Sequence, residues 1–171
     1  SISLKAQHLS TLGYHTQAIT LLHAAVEKGY SASEAGYHDI FMNQGDWKKA
    51  AEGFNTYVKN RTKFSVYDLI KSDIIARQAQ LQPWLIAKQV VVNNKWEQTL
   101  LNYWQARASA DDLKKIALTR CEKTEYFFYT GYQDLQAGRT AQAHTKFKAA
   151  IDQNTYRFIE RPLAAYFLQK N

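Results

Sequence analysis

A chain of 171 residues with 46% hydrophobic content is long enough for one compact domain or a short solenoid. Only 7 glycines and 2 prolines occur, too few turn formers for a many-stranded β fold, so the chain reads as all-α. The formal charge of +7 and pI near 9.4 suit an anionic partner, whether nucleic acid, a lipid headgroup surface or an acidic protein face, without selecting one. The single Cys121 excludes an internal disulfide and leaves the compartment open. No apolar run reaches the roughly 18 residues of a membrane span, and the N-terminus lacks the regions of a signal peptide. Ser1 to Leu9 already reads as helix, which fits a mature form or a fragment without its upstream sequence.

In chain order, the first unit (about 1–30) places Ala6, Leu9, Gly13, Ala18, Leu22 and Ala25 at small or apolar positions. The second (32–60) places Phe41, Gly45, Ala50, Phe54 and Tyr57 at matching offsets. Both the Gly and the Ala recur after 32 residues, close to the period of tetratricopeptide helix pairs. Next comes a degenerate helical stretch (65–119). Val66, Leu69, Ile70 and Ile74 form one stripe at helical spacing, and Trp96, Leu100 and Trp104 form another. Within this stretch Pro83 predicts a helix from Trp84 to Val91, Asn93-Asn94 predicts a break, and Ser109 ahead of Ala110-Asp111-Asp112 reads as an N-cap. A third unit (124–153) repeats the pattern with Gly131, Leu135, Gly138, Ala143, Phe147 and Ala150. A closing helix (156–169) follows, with Phe158, Leu163 and Phe167 on its apolar face and Pro162 either kinking it or delaying its start.

Each repeated residue type has a physical task. The glycine takes the left-handed conformation that ends the first helix of a pair. The alanines Ala18, Ala50 and Ala143 let two axes approach, and Leu22, Phe54 and Phe147, one turn later, fill the space between them. The expected fold is therefore a tetratricopeptide-repeat solenoid over residues 1–171, with irregular central helices and a C-terminal closing helix.

The run Phe128-Tyr129-Thr130-Gly131, Leu135, Gly138, Ala143, Phe147-Lys148, Ala150, Asn154, Phe158, Glu160, Ala164 and Leu168 resembles the last repeat and closing helix of NlpI-type bacterial lipoproteins. Upstream, Gly36, Gly45, Trp47, Ala50, Tyr57, Leu69, Gln89, Glu97-Gln98-Thr99-Leu100 and Leu113 fall in a similar order to that family's central repeats. The resemblance implies a periplasmic adaptor anchored to the outer membrane by a lipid outside this chain, which fits a lipidated cysteine just before Ser1. It also implies presentation of peptidoglycan hydrolases to a carboxyl-terminal processing protease, without enzymatic activity or cofactor. Set against that family, the chain as given is expected to lack the N-terminal helices through which members pair, and it differs in its basic charge and in Pro162.

Other chemistries find weaker support. Gly131 to Thr140 approaches a phosphate loop, but six residues separate the glycines and Arg139 stands where lysine belongs. His8, His15 and His23 lack the i, i+4 spacing of a helical zinc site, so no metal is expected. Asp111-Asp112 reads as charge at a helix N-terminus. The clusters Lys114, Lys115, Arg120, Lys123 and Lys59, Arg61, Lys63 keep open a basic nucleic-acid binder, beside a repeat scaffold or chaperone of another compartment. For protein binding, the first helix of each pair is expected to line a concave face. Its outward positions are Gln7, Ser10 and Thr11, then Asp39, Met42 and Asn43, then Phe128, Tyr132 and Gln136. Met42, Phe128 and Tyr132 are expected as apolar anchors of this surface, with packing of Phe128 or Tyr132 against the irregular middle helices as an equal alternative. The interrupted middle predicts two separate surfaces instead of one smooth groove.

Overall fold

The computed structural model describes residues 2–31, 36–59, 61–85, 90–156 and 158–170. The chain is all-α and built from helical-repeat pairs, with ten helices among these residues and two two-residue strands. It forms two compact units, Ser1–Val92 and Asn93–Asn171.

The first unit contains α1 (Ile2–Thr11), α2 (His15–Glu27), α3 (Tyr37–Gln44), α4 (Trp47–Lys59), strand β1 (Phe64–Ser65), α5 (Val66–Ala79) and strand β2 (Val90–Val91). Gly13 and Gly45 sit at φ 88° and 72°, the left-handed turn that ends α1 and α3 and admits α2 and α4 as antiparallel partners. Ala18, Leu22, Ala50 and Phe54 are almost completely buried, as their repeat positions require. One position varies in size between pairs. Seven residues before the turn glycine stand Ala6, His38 and Gly131. Where His38 occupies it, α4 supplies Gly53, whose added Cβ would come within 3.1 Å of the His38 backbone nitrogen. Close approach is kept by moving the missing side chain to the other helix.

Helix α5 starts with a capping box, in which Ser65 Oγ accepts from the Asp68 amide and Asp68 accepts from the Ser65 amide. It buries Val66, Leu69, Ile70, Ile74 and Ile75. The helix expected from Trp84 to Val91 does not form over its described part, and residues 86–89 lie outside the described residues. The Trp84 and Leu85 amides both donate to Ser72 Oγ, at 3.0 and 3.3 Å, and the Trp84 ring packs 5.4 Å from that of Phe54. These contacts hold the segment against α5 as a bend. Val90 and Val91 then pair in parallel with Phe64 and Ser65.

The second unit contains α6 (Lys95–Trp104), α7 (Ala110–Ile116), α8 (Arg120–Gln136), α9 (Thr140–Asp152) and α10 (Glu160–Lys170). Asn94, Ser109 and Thr119 cap α6, α7 and α8 with side-chain acceptors, Ser109 as expected from its sequence. Gly131 lies inside α8, where a Cβ would stand 3.1 Å from the Phe147 ring of α9. Of the two roles expected for Pro162, delay is the one found. It falls in the first turn of α10, which begins at Glu160 instead of Tyr156, because a prolyl nitrogen is tolerated there and not deeper in a helix. The α10 side chain Phe167 packs among Phe128, Tyr132 and Phe147. Polar bonds fasten the rest: Trp96 Nε1 donates to Glu125, Tyr129 OH to Glu160, and the Thr124 and Thr155 hydroxyls meet at 2.8 Å.

Candidate functional site

The nine residues expected on the concave face fall into two groups, one in each unit. In the first unit they form a polar ladder across the first helices. Gln7 of α1 donates to Asp39 Oδ2 at 3.1 Å, and Lys71 of α5 meets Asp39 Oδ1 at 2.7 Å. The three positions are 32 residues apart, so Lys71 is the third term of the same series and α5 is a first helix without the usual turn glycine. A second rung joins Asn43 Nδ2 to Ser10 Oγ at 3.0 Å, and Ser10 Oγ in turn lies 3.1 Å from His15 Nδ1. The side chain of Thr11 bonds its own helix at the Gln7 carbonyl. Ser10, Asp39 and Asn43 are buried; Gln7 and Thr11 are half-buried.

Electrostatics follows from this burial. Burial raises the Asp39 carboxyl, but Lys71, His38 and the Gln7 hydrogen bond outweigh it and hold the group below its ordinary value. Its neighbour His38 is pushed down to about 4, mainly by burial and further by Lys71 and Arg61, against Asp39 and Asp68. The ring is therefore neutral at pH 7, and its 3.5 Å approach to Asp39 is not an ion pair there. Tyr57, which donates to Asp68 Oδ1, is pushed up to about 12 by burial and then by that carboxylate.

The apolar anchors are corrected by the structure. Met42 is completely buried on α3, a helix flanked by α1, α2 and α4. Phe128 and Tyr132 are also completely buried. The Tyr132 ring stacks 6.1 Å from Trp104 of α6 and packs 5.3 Å from Phe167 of α10, so of the two expectations for this residue, packing against a middle helix is the one found. Of the third group only Gln136 is exposed. Two residues before it, Asp134 takes the charged role. It accepts from Arg139 at 2.7 Å and from Lys146 at 2.6 Å, contacts that offset burial and lower its pKa. Lys71 and Asp134 were missed by sequence reasoning. The 7, 39, 71 spacing carried the signal for the first, while the second had none beyond its place one turn before Gly138.

Polar recognition by hydrogen bonding at the margins of a buried ladder is what this arrangement allows. The chain is similar to a bacterial lipoprotein. The relative is a Lipoprotein NlpI homolog of Haemophilus influenzae, 23% identical over 177 residues, in a match covering 87% of this chain and 56% of that protein. The chain thus spans little more than half the length of that relative. No family model matches the chain, and no solved structure does. Among the described residues no helix is long and apolar enough to cross a membrane.

Proposed function

We propose that the chain is a protein-binding adaptor of the bacterial cell envelope that brings peptidoglycan hydrolases to a carboxyl-terminal processing protease. The observation that carries this reading is the similarity to a lipoprotein NlpI homolog along most of a chain built from helical-repeat pairs. The envelope location, with attachment to the outer membrane through a lipid outside this chain, rests on the same similarity. The described geometry adds a physical argument. In the first unit the first helices of successive pairs tie their buried polar groups to one another, leaving half-buried polar side chains at the margin for a partner. Gln7 and Thr11 in the first unit and Gln136 in the second are the positions through which we place partner contact, while Ser10, Asp39 and Asn43 set the shape behind them. Met42, Phe128 and Tyr132 act as core residues in this scheme.

The test is direct binding between the immobilised chain, a purified processing protease and a purified hydrolase from the same organism. Micromolar or tighter association is expected, weakened by Thr11→Glu and Gln136→Glu and unchanged by Lys48→Gln on the outer helix of the second pair. Failure to bind either protein at concentrations up to about 100 μM contradicts the reading.

A further inference from the structure

The corner between α7 and α8 holds Leu118 at 78% exposure, more than any other large apolar side chain among the described residues. The backbone there is fixed. The Leu118 amide donates to Glu122 Oε2 at 3.0 Å, Thr119 caps α8, and Leu113 and Ala117 beneath it are buried. Leucine is thus held outward by an ordered corner, against the usual preference of such a side chain for the interior.

Four cations surround it in sequence. Lys114 and Lys115 end α7, and Arg120 and Lys123 open α8; all are exposed, and all lie within five residues of Leu118. The nearby acids are Asp111, Asp112 and Glu122. Asp112 accepts from the Ser109 amide and hydroxyl and lies 3.8 Å from Lys115. Glu122 accepts from the Leu118 and Thr119 amides and the Thr119 hydroxyl. Glu122 is therefore occupied in holding the corner, and Asp112 in capping the start of α7. Lys114, Arg120 and Lys123 pair with no carboxylate among the described residues.

An acidic protein face would satisfy these cations and leave the leucine against charge. A bilayer surface satisfies both, with phosphates at the level of the cations and hydrocarbon a few ångströms deeper. Long basic stems suit that boundary, since their methylenes follow the apolar tip while their charges remain with the headgroups. We propose that the α7–α8 corner docks on an anionic phospholipid surface, with Leu118 entering the headgroup boundary and Lys114, Lys115, Arg120 and Lys123 meeting phosphates.

Sedimentation with large unilamellar vesicles tests this without any protein partner, so it stands or falls apart from the adaptor reading. Vesicles containing phosphatidylglycerol should carry the chain down at low salt, and vesicles of phosphatidylcholine alone should not. Leu118→Ala should weaken partition roughly tenfold, Lys114→Gln/Lys115→Gln should weaken it and reduce its salt dependence, and Leu81→Ala, at another exposed leucine, should leave it unchanged. Circular dichroism of each variant checks that the fold is intact. No sedimentation with anionic vesicles overturns the proposal. So does sedimentation indifferent to Leu118→Ala, which would reflect the overall positive charge, and so does equal, Leu118-dependent retention on a polyglutamate resin, which would identify an acidic polypeptide instead.

Discussion

His38 ties the first unit's stability to pH. Its folded pKa is about 4 against 6.5 in a free side chain, so below pH 6.5 the unfolded chain takes up a proton that the folded chain refuses. Stability is full above pH 6.5, falls as pH drops towards 4, and levels for this group below that. The loss is about 3 kcal/mol. His15, lowered by burial, adds in the same direction. Denaturant unfolding at pH 7 and pH 4.5 should show the decline, and His38→Leu should flatten most of it. Gly131 is constrained by space alone. A Cβ would stand 3.1 Å from Lys146 Cβ and from the Phe147 ring, so Gly131→Ala should cost about 1–3 kcal/mol in thermal unfolding despite the better helix propensity of alanine. Ala18, Ala50, Ala143 and their large apolar partners were legible in the sequence because their contacts lie inside one helix pair and repeat with it. The burial of Met42 was not, and that of Phe128 and Tyr132 was one of two open expectations. A periodic pattern gives the face a side chain takes on its helix, whereas Trp104 and Phe167, which cover Tyr132, come from helices outside the pair.

Among the elements, α10 closes its unit through one aromatic cluster. Phe167 lies within 6.5 Å, ring to ring, of Phe128, Tyr132 and Phe147. Phe167→Ala should cost about 3–5 kcal/mol by leaving a cavity among three fixed rings, and should remove near-ultraviolet circular dichroism before helix content. A smaller effect belongs to the start of α8. Thr119→Ala removes one half of a capping box and should cost about 1 kcal/mol in urea unfolding, with Thr119→Ser restoring most of it. Helix ends of this kind were readable, as Ser109 shows, because a cap and its N3 acid are local. The segment after Pro83 was not. Proline predicts a helix start only if the following amides are free to join it, and Ser72, more than ten residues earlier, binds those of Trp84 and Leu85. The continuation of the repeat into α5 was hidden for a related reason. Arg77 stands where the turn glycine would fall, and the helix runs on to Ala79, so the landmark of the period is missing while its polar series 7, 39, 71 persists.

At the scale of the whole molecule, the chain folds as two compact units of paired helices and carries a formal charge of +7. The similarity to a lipoprotein NlpI homolog reaches 87% of the chain and little more than half of that relative. An adaptor of the proposed kind accelerates a reaction it does not catalyse, by raising the local concentration of substrate at an enzyme. The measurement that tests this most directly is the rate at which a purified processing protease degrades a purified peptidoglycan hydrolase, with and without the chain. The adaptor role requires acceleration that rises and then falls as the chain is titrated past the concentration of its two partners, with no degradation by the chain alone. A rate unchanged at every concentration of the chain would contradict it.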